Sequence, residues 1–259
     1  RQALSQIERL ADHWWIAFLD KGLSKYEQGF HNLEETINVL KGSINFFKEN
    51  GDKMGYAGSM YHLAWMHLVN DQTQSALDYF QTAQQLFAEL GADGDVAWSM
   101  IFRGIARLKQ GDTGDAYHLA DEAVKTVAHL RHPWVVSAAH HLKGDVFLAR
   151  GELAVAYAHQ YHAVKIAYEA DSVLQVLRHL TGLAEVLLGM GREDEGLRLL
   201  VYNQDHPVTG LDSRLRIRAI LEAYTPEQLA PYEVDPESVS LDEVVASLPE
   251  PREHIERLG

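Results

Sequence analysis

Small and bulky apolar residues return along this chain with two superimposed periods. Within short stretches they recur three and four apart, the spacing of one face of an amphipathic helix. A longer period of 40 residues overlies this one. Shifted by 40, the small residues fall into columns: Ser24, Ala64, Gly104, Gly144, Ala184; Thr36, Ala76, Ala116, Ala156, Gly196; and Ala3, Ser43, Ala83, Ala123, Ala163. Bulky columns accompany them, with Leu68, Leu108, Leu148 and Leu188 in one and Leu10, Leu90 and Leu130 in another. Such self-similarity at a fixed step marks a repeat architecture.

Breaks fall about every 20 residues, at Glu49-Asn50-Gly51-Asp52, Asn70-Asp71, Gly91 to Gly94, Gln110-Gly111-Asp112, His132-Pro133, Arg150-Gly151, Ala170-Asp171 and Met190-Gly191. Gly, Asn, Asp and Pro are the expected punctuation of helix ends. Each copy therefore reads as a helical hairpin with helices of about 15–17 residues, roughly 25 Å long. First helices are predicted near 14–29, 54–70, 94–110, 134–150 and 173–190. Second helices are predicted near 33–50, 73–90, 113–130, 153–170 and 193–204. The small columns mark helix crossings, where a large side chain would overpack the contact at a cost of about 1–3 kcal/mol. Residues 1–12 align with the latter half of a second helix, so the sequence opens inside a repeat.

The pattern bulky–x–x–Leu–small–x–x–bulky, followed by small and then bulky–x–x–small, is met by Met60, Leu63-Ala64, His67, Ala76, Phe80 and Ala83. It returns at Arg103-Gly104, Ala116, Ala120 and Ala123, and at Lys143-Gly144, Phe147, Ala156 and Ala163. In this the chain resembles the tetratricopeptide repeat over residues 1 to about 204. His67 and Arg107 stand where that family prefers an aromatic residue, and the helix-closing proline is missing. The 40-residue step is longer than the family's usual one. It is closer to the long repeats in sensor regions of bacterial multidomain regulators and signal-transduction ATPases (the STAND type). The resemblance implies an all-α fold, a right-handed α-solenoid of helical hairpins.

The period stops at Asp205-His206-Pro207. Beyond it, a helix is predicted near 211–224, a short one from Pro226, a loop over 233–240, and a capped helix in "SLDEVVASL". There Ser240 and Glu243 form a capping-box pattern. The chain thus divides into a repeat solenoid, 1–204, and a C-terminal capping helix with an acidic tail, 205–259, since a solenoid needs a polar end cap.

Composition narrows the function. The 259 residues are 46% apolar and contain no cysteine, which excludes disulfides and thiolate chemistry. The net charge is −14, and residues 191–259 hold 15 acids against 7 arginines. No basic stripe suited to nucleic acid is present. No apolar run reaches the roughly 18 residues of a membrane span. Arg1-Gln2 reads as the interior of a longer chain, and a cytoplasmic location is expected.

No phosphate-binding glycine loop, zinc-protease helix or nucleophile elbow occurs. The chain is therefore expected to be no enzyme and to need no cofactor. His129/His132 and His159/His162 are H-x-x-H pairs, and His140 adjoins His141. A zinc site needs three or four converging ligands, so these read as ordinary helix residues and no metal is expected. Five tryptophans, Trp14, Trp15, Trp65, Trp98 and Trp134, lie on or at the start of first helices.

In the tetratricopeptide fold, first helices line the concave surface. The resemblance thus implies a groove lined by Phe18, Lys21, Lys25, Tyr61, Trp65, Trp98, Ile101, Ile105, His141, Asp145, Arg178 and Glu185. The expected function is recognition of a peptide or protein, as an effector-sensing part of a larger bacterial signalling protein. Two alternatives stand beside it. One is an oligosaccharide-like sensor of a transcription activator, with Trp65 and Trp98 stacking on sugar rings. The other is a self-associating scaffold, with a homodimer formed through an open N-terminal edge.

Overall fold

The computed structural model describes residues 33–130, 132–233 and 238–251. The described residues form helices and turns, with no strand among them. Among the described residues nine helices follow the period: α1 (Leu33–Glu49), α2 (Lys53–Val69), α3 (Thr73–Glu89), α4 (Asp93–Lys109), α5 (Thr113–Thr126), α6 (Pro133–Ala149), α7 (Leu153–Glu169), α8 (Val173–Gly189) and α9 (Glu193–Asp205). Their starts are spaced 20 residues apart without exception. Three more make up the tail: α10 (Leu211–Leu221), α11 (Pro226–Leu229), which runs into a 3₁₀ turn at Ala230–Tyr232, and α12 (Leu241–Ser247).

The regular spacing has a local cause. Seven connectors carry a residue in the left-handed region: Gly51, Asp71, Gly91, Gly111, Gly151, Asp171 and Gly191, with φ between 53° and 83°. The following amide donates back to a carbonyl in the last turn, as in Asp52 N to Phe47 O (2.9 Å) and Arg192 N to Leu187 O (2.9 Å). This Schellman pattern satisfies helix-end carbonyls and turns the chain sharply. The next helix starts at once, capped in α2 and α5 by the carboxylates of Asp52 and Asp112, which accept from Gly55 N and Asp115 N. After α5, which stops at Thr126 rather than near 130 as predicted, residues 127–130 form turns. Position 131 is Arg where the other connectors have Gly or Asp, and Pro133 restricts the residue before it.

The described residues fall into two compact units, one ending at Ala106 and the other beginning at Arg107. In the first, Leu40, Phe47, Leu63, Met66 and Phe80 form a core between hairpin helices, and the small residues Ala57, Ala64, Ala76 and Ala83 are fully buried. In the second, the core runs through Leu177, Leu180, Leu183, Leu187 and Leu200. It also takes in Ile217 of α10 and Val244, Val245 and Leu248 at α12.

The tail leaves the helical stack through a tied loop. Asn203 is wholly buried and donates to Leu177 O (2.6 Å) and Thr181 Oγ1 (2.7 Å), and it receives the Thr209 hydroxyl (2.8 Å). Arg214 Nε then donates to Thr209 O (2.8 Å), fixing the first turn of α10 to the loop. Pro207, between these anchors, cannot extend α9. Farther on, the expected capping box at Ser240/Glu243 is present, and Thr225/Gln228 forms a second one. Tyr157 and Tyr168 of α7 donate to Pro249 O (2.7 Å) and Asp242 Oδ1 (2.8 Å), which holds α12 against α7.

Candidate functional site

The second unit brings one set of groove positions together on the first helices α6 and α8. Ser137, His141 and Asp145 lie four residues apart on α6, and so share one face. Gln175, Arg178, Gly182 and Glu185 line the facing side of α8. Asp145 and Glu185 are equivalent positions 40 residues apart, so two successive repeats each contribute a carboxylate at one height.

A buried glutamine from α7 orders this stripe. Gln160 is fully buried and donates to Asp145 Oδ1 (2.8 Å) and His141 O (3.2 Å). Its Oε1 lies 2.7 Å from His141 Nδ1. An amide oxygen can only accept, so that ring nitrogen carries the proton. Gly144 and Gly182 make room for Gln160: a Cβ at either would come within 2.7 Å or 2.6 Å of its amide nitrogen. Beside it, Ser137 donates to Gln175 Oε1 (2.6 Å). The His179 ring lies tilted against His141, with centroids 4.8 Å apart, and is fully buried with neither ring nitrogen hydrogen-bonded.

Helix α10 lies across this stripe. Its Arg216 donates to Asp145 from both terminal nitrogens (3.0 and 3.1 Å) and to Glu185 Oε2 (2.9 Å), and its Nε also meets Glu185 Oε1. One turn earlier, Asp212 pairs with Arg178 (2.8 Å). The planar guanidinium suits this double fork, which a lysine could not reproduce. Below the polar contacts, Ser213, Ile217 and Leu221 are the buried residues of α10.

Burial and pairing set the charge states. Burial alone would raise the Asp145 carboxyl, but the Arg216 guanidinium outweighs it and holds it below its ordinary value. Burial would likewise raise Asp212, and Arg178 pulls it down. Burial would lower Arg216, but Asp145 and Glu185 hold it above its ordinary value. Burial drives His141 down against the opposing pull of Asp145, and drives His179 well down, so both rings are neutral near pH 7.

Other expected groove residues lie elsewhere. Phe18, Lys21 and Lys25 fall outside the described residues. In the first unit Trp65 (9% exposed) and Ile101 (2%) belong to the core. Tyr61 packs edge-on against Phe80 (5.5 Å) and Phe102 (5.6 Å), Trp98 lies 6.1 Å from Phe102, and Ile105 is half-buried against the same cluster. There the first-helix face is apolar packing, whereas in the second unit it is a charged seat. The sequence reading did not single out Asp212, Ser213 and Arg216. Their signal was available: an acid and a base four apart on a short amphipathic helix, complementary to Arg178 and to Asp145/Glu185.

A second histidine group sits between α6 and α7. His140 and His159 approach with Nδ1 atoms 3.1 Å apart, and His162 lies near, ring to ring at 6.0 Å from His140. Burial pushes His140 down to about 4 and His159 to about 3. Among the described residues no group of three His, Asp or Glu side chains is placed to hold a metal ion. Among them, too, no helix is long and apolar enough to cross a membrane.

No protein-family model and no curated protein matches this chain. Solved structures do. A Podosopora anserina kinesin light chain-like protein with nearly identical TPR-like repeats is 17% identical, covers 80% of this chain and 95% of its own, and has a TM-score of 0.50. BtubC (BKLC) from P. vanneervenii is 17% identical, covers 86% of this chain and 89% of its own, with a TM-score of 0.55. The fold is that of the tetratricopeptide-like α-solenoid. At this identity the likeness speaks for the fold alone, and the seat on α6 and α8 must be read from its own residues.

Proposed function

We propose that this chain is a non-catalytic protein-interaction module whose α6/α8 face recognises a peptide or helix bearing an arginine. The observation that carries this reading is Arg216 held between Asp145 and Glu185 on adjacent repeats. Two carboxylates at one height give a guanidinium a two-sided grip, and Arg is enriched among the residues that anchor interfaces. The charge excess of the chain favours a basic partner in the same sense. On this reading the module serves as the recognition part of a larger, cytoplasmic bacterial signalling or regulatory protein. The regulatory setting rests on the resemblance of the 40-residue repeats. Trp65 lies inside the core, so a sugar-stacking role for that ring has no surface to act on.

The test uses the full chain carrying Arg216→Glu, in which a third carboxylate faces Asp145 and Glu185 and expels α10. A synthetic peptide copying residues 211–224 is titrated by calorimetry, alongside the same peptide with glutamine in place of its arginine at 216. We expect saturable one-to-one binding of the first and at least tenfold weaker binding of the second. Absence of binding to a variant that keeps its helical circular dichroism would overturn the reading.

A further inference from the structure

We propose that a hollow between α1, α2 and α3 is a binding site for a small organic anion with an apolar body. It belongs to the first unit and is independent of the α6/α8 face.

The hollow has a volume of about 380 Å³, within the range of small-molecule sites. Ile44 of α1 and Met60 and Leu63 of α2 give it an apolar lining. Tyr56 and Tyr79 add two phenol rings. The Tyr79 ring is steadied by stacking on His67, nearly parallel with centroids 5.2 Å apart. The remaining lining residues are Lys41, Asn45 and Lys48 of α1. Steps of four and three residues put these on one helix face. The lysines stand about two turns apart, roughly 10 Å along the axis. A few polar groups converging on an apolar hollow are what fixes the orientation of a small molecule.

These polar groups have no partner within the protein. Among the described residues, no hydrogen bond or ion pair engages the side chains of Lys41, Asn45, Lys48, Tyr56 or Tyr79. No acid lies three or four residues from Lys41 along the chain. The one acid so placed from Lys48 is Asp52, whose carboxylate is taken by Gly55 N (2.9 Å). No carboxylate among the described residues lines the hollow, although the chain carries 37 acids against 23 bases. The site thus offers two ammonium groups, an amide and two hydroxyls, and the charge they complement is negative.

The following repeats close the equivalent space from within. The position of Leu63 is Arg103 one repeat on and Lys143 two repeats on. Arg103 reaches the preceding second helix and donates to Gln84 Oε1 (2.7 Å), and Lys143 does the same to Asp121 Oδ1 (2.8 Å). Gln84 and Asp121 stand at the positions of Ile44 and Lys41. In the hollow the arrangement is reversed: the cation is on the second helix, at Lys41, and the first helix faces it with Leu63. No internal strap can form there, and the missing acceptor is what an anionic ligand supplies.

The experiment titrates the full chain with naphthalene-2,6-dicarboxylate, a flat apolar body with an acid at each end, and follows backbone amide shifts by NMR. We expect saturable one-to-one binding, with shifts gathered on residues 41–48, 56–63 and 79. Lys41→Gln with Lys48→Gln, both at exposed positions, should weaken binding about tenfold, two exposed ion pairs' worth. The uncharged dimethyl ester should bind about tenfold more weakly than the diacid. Lys53→Gln, which removes an exposed lysine paired with Glu89 outside the hollow, should leave the affinity unchanged. Should the double variant lose helicity, Asn45→Trp fills the hollow from an exposed position and should abolish binding. Shifts scattered over the chain, or no saturation, would overturn the inference. Equal affinity of ester and diacid, or of the double variant and wild type, would overturn it as well. Tighter binding of an acidic heptapeptide at the same residues would overturn the small-molecule class.

Discussion

Asp145 and Glu185 stand one repeat apart and close on the same side chain, the guanidinium of Arg216. The repeat thus does more than stack helices. It places two like charges at matching heights on neighbouring helices, with one cation between them. Removing that cation should therefore cost more than the loss of a surface ion pair.

Arg216→Ala is expected to lower the stability of the chain by about 1–3 kcal/mol, because it leaves two half-buried carboxylates facing each other. The loss should show as a lower urea midpoint. Adding Asp145→Asn and Glu185→Gln should recover part of it. Arg216→Lys should fall between wild type and Ala, since an ammonium cannot fork to both acids.

Gly182→Ala sets two effects against each other. Alanine favours a helix over glycine by about 1 kcal/mol. Here, however, the added methyl would lie 2.6 Å from Gln160 Nε2 and 2.7 Å from His141 Cε1. Overpacking a site of this kind costs about 1–3 kcal/mol. The expected outcome is a net loss in thermal midpoint. Gln160→Ala in the same chain should recover part of that loss, the overlap with His141 remaining.

The His140/His159 pair makes stability depend on acid. Both rings titrate below the ordinary value of 6.5, at about 4 and about 3, because burial opposes their charged forms. The unfolded chain therefore takes up protons first as pH falls through 6.5, and stability drops from there towards pH 4. Above 6.5 the pair has no effect. The slope should approach about 1.4 kcal/mol per pH unit for each ring at most. Denaturation at a series of pH values checks it. His159→Phe, which keeps the stacking on Phe147 (5.3 Å), should flatten the curve between pH 4 and 6.5.

Asn203→Ala removes the knot that ties the α9–α10 loop to α8. Leu177 O keeps its helical partner, but Thr209 loses a side-chain acceptor inside the protein. A cost of about 1–3 kcal/mol is expected. Hydrogen exchange should show α10 released earlier than α6 to α9. Uniform loss of protection across the second unit would argue against a local role for this knot.

Much of this fold is legible before any coordinate is seen. The spacing of helix starts follows from Gly and Asp residues that can adopt a positive φ, and these are visible in the sequence at Gly51, Asp71, Gly91, Gly111, Gly151, Asp171 and Gly191. The small residues Ala64, Ala76 and Ala83 mark tight crossings and are fully buried. The site is less legible. Periodicity puts Trp65 and Asp145 in the same column, yet one is core and the other is an ion-pair partner. The column fixes the direction of a side chain but not what stands opposite it. For Asp145 the opposite partner is Arg216, 71 residues away, delivered by a loop whose course depends on the buried Asn203. No local pattern encodes that meeting.

The matched connectors have an evolutionary corollary. Since the chain leaves most helices through the same left-handed residue and the same backward amide bond, the two ends of a forty-residue segment cut at such turns are interchangeable joints. Duplication or loss of one such segment can lengthen or shorten the protein without inventing a new bend. Natural variants differing by whole multiples of forty residues should therefore fold, whereas an insertion of three or four within a helix should not be inherited.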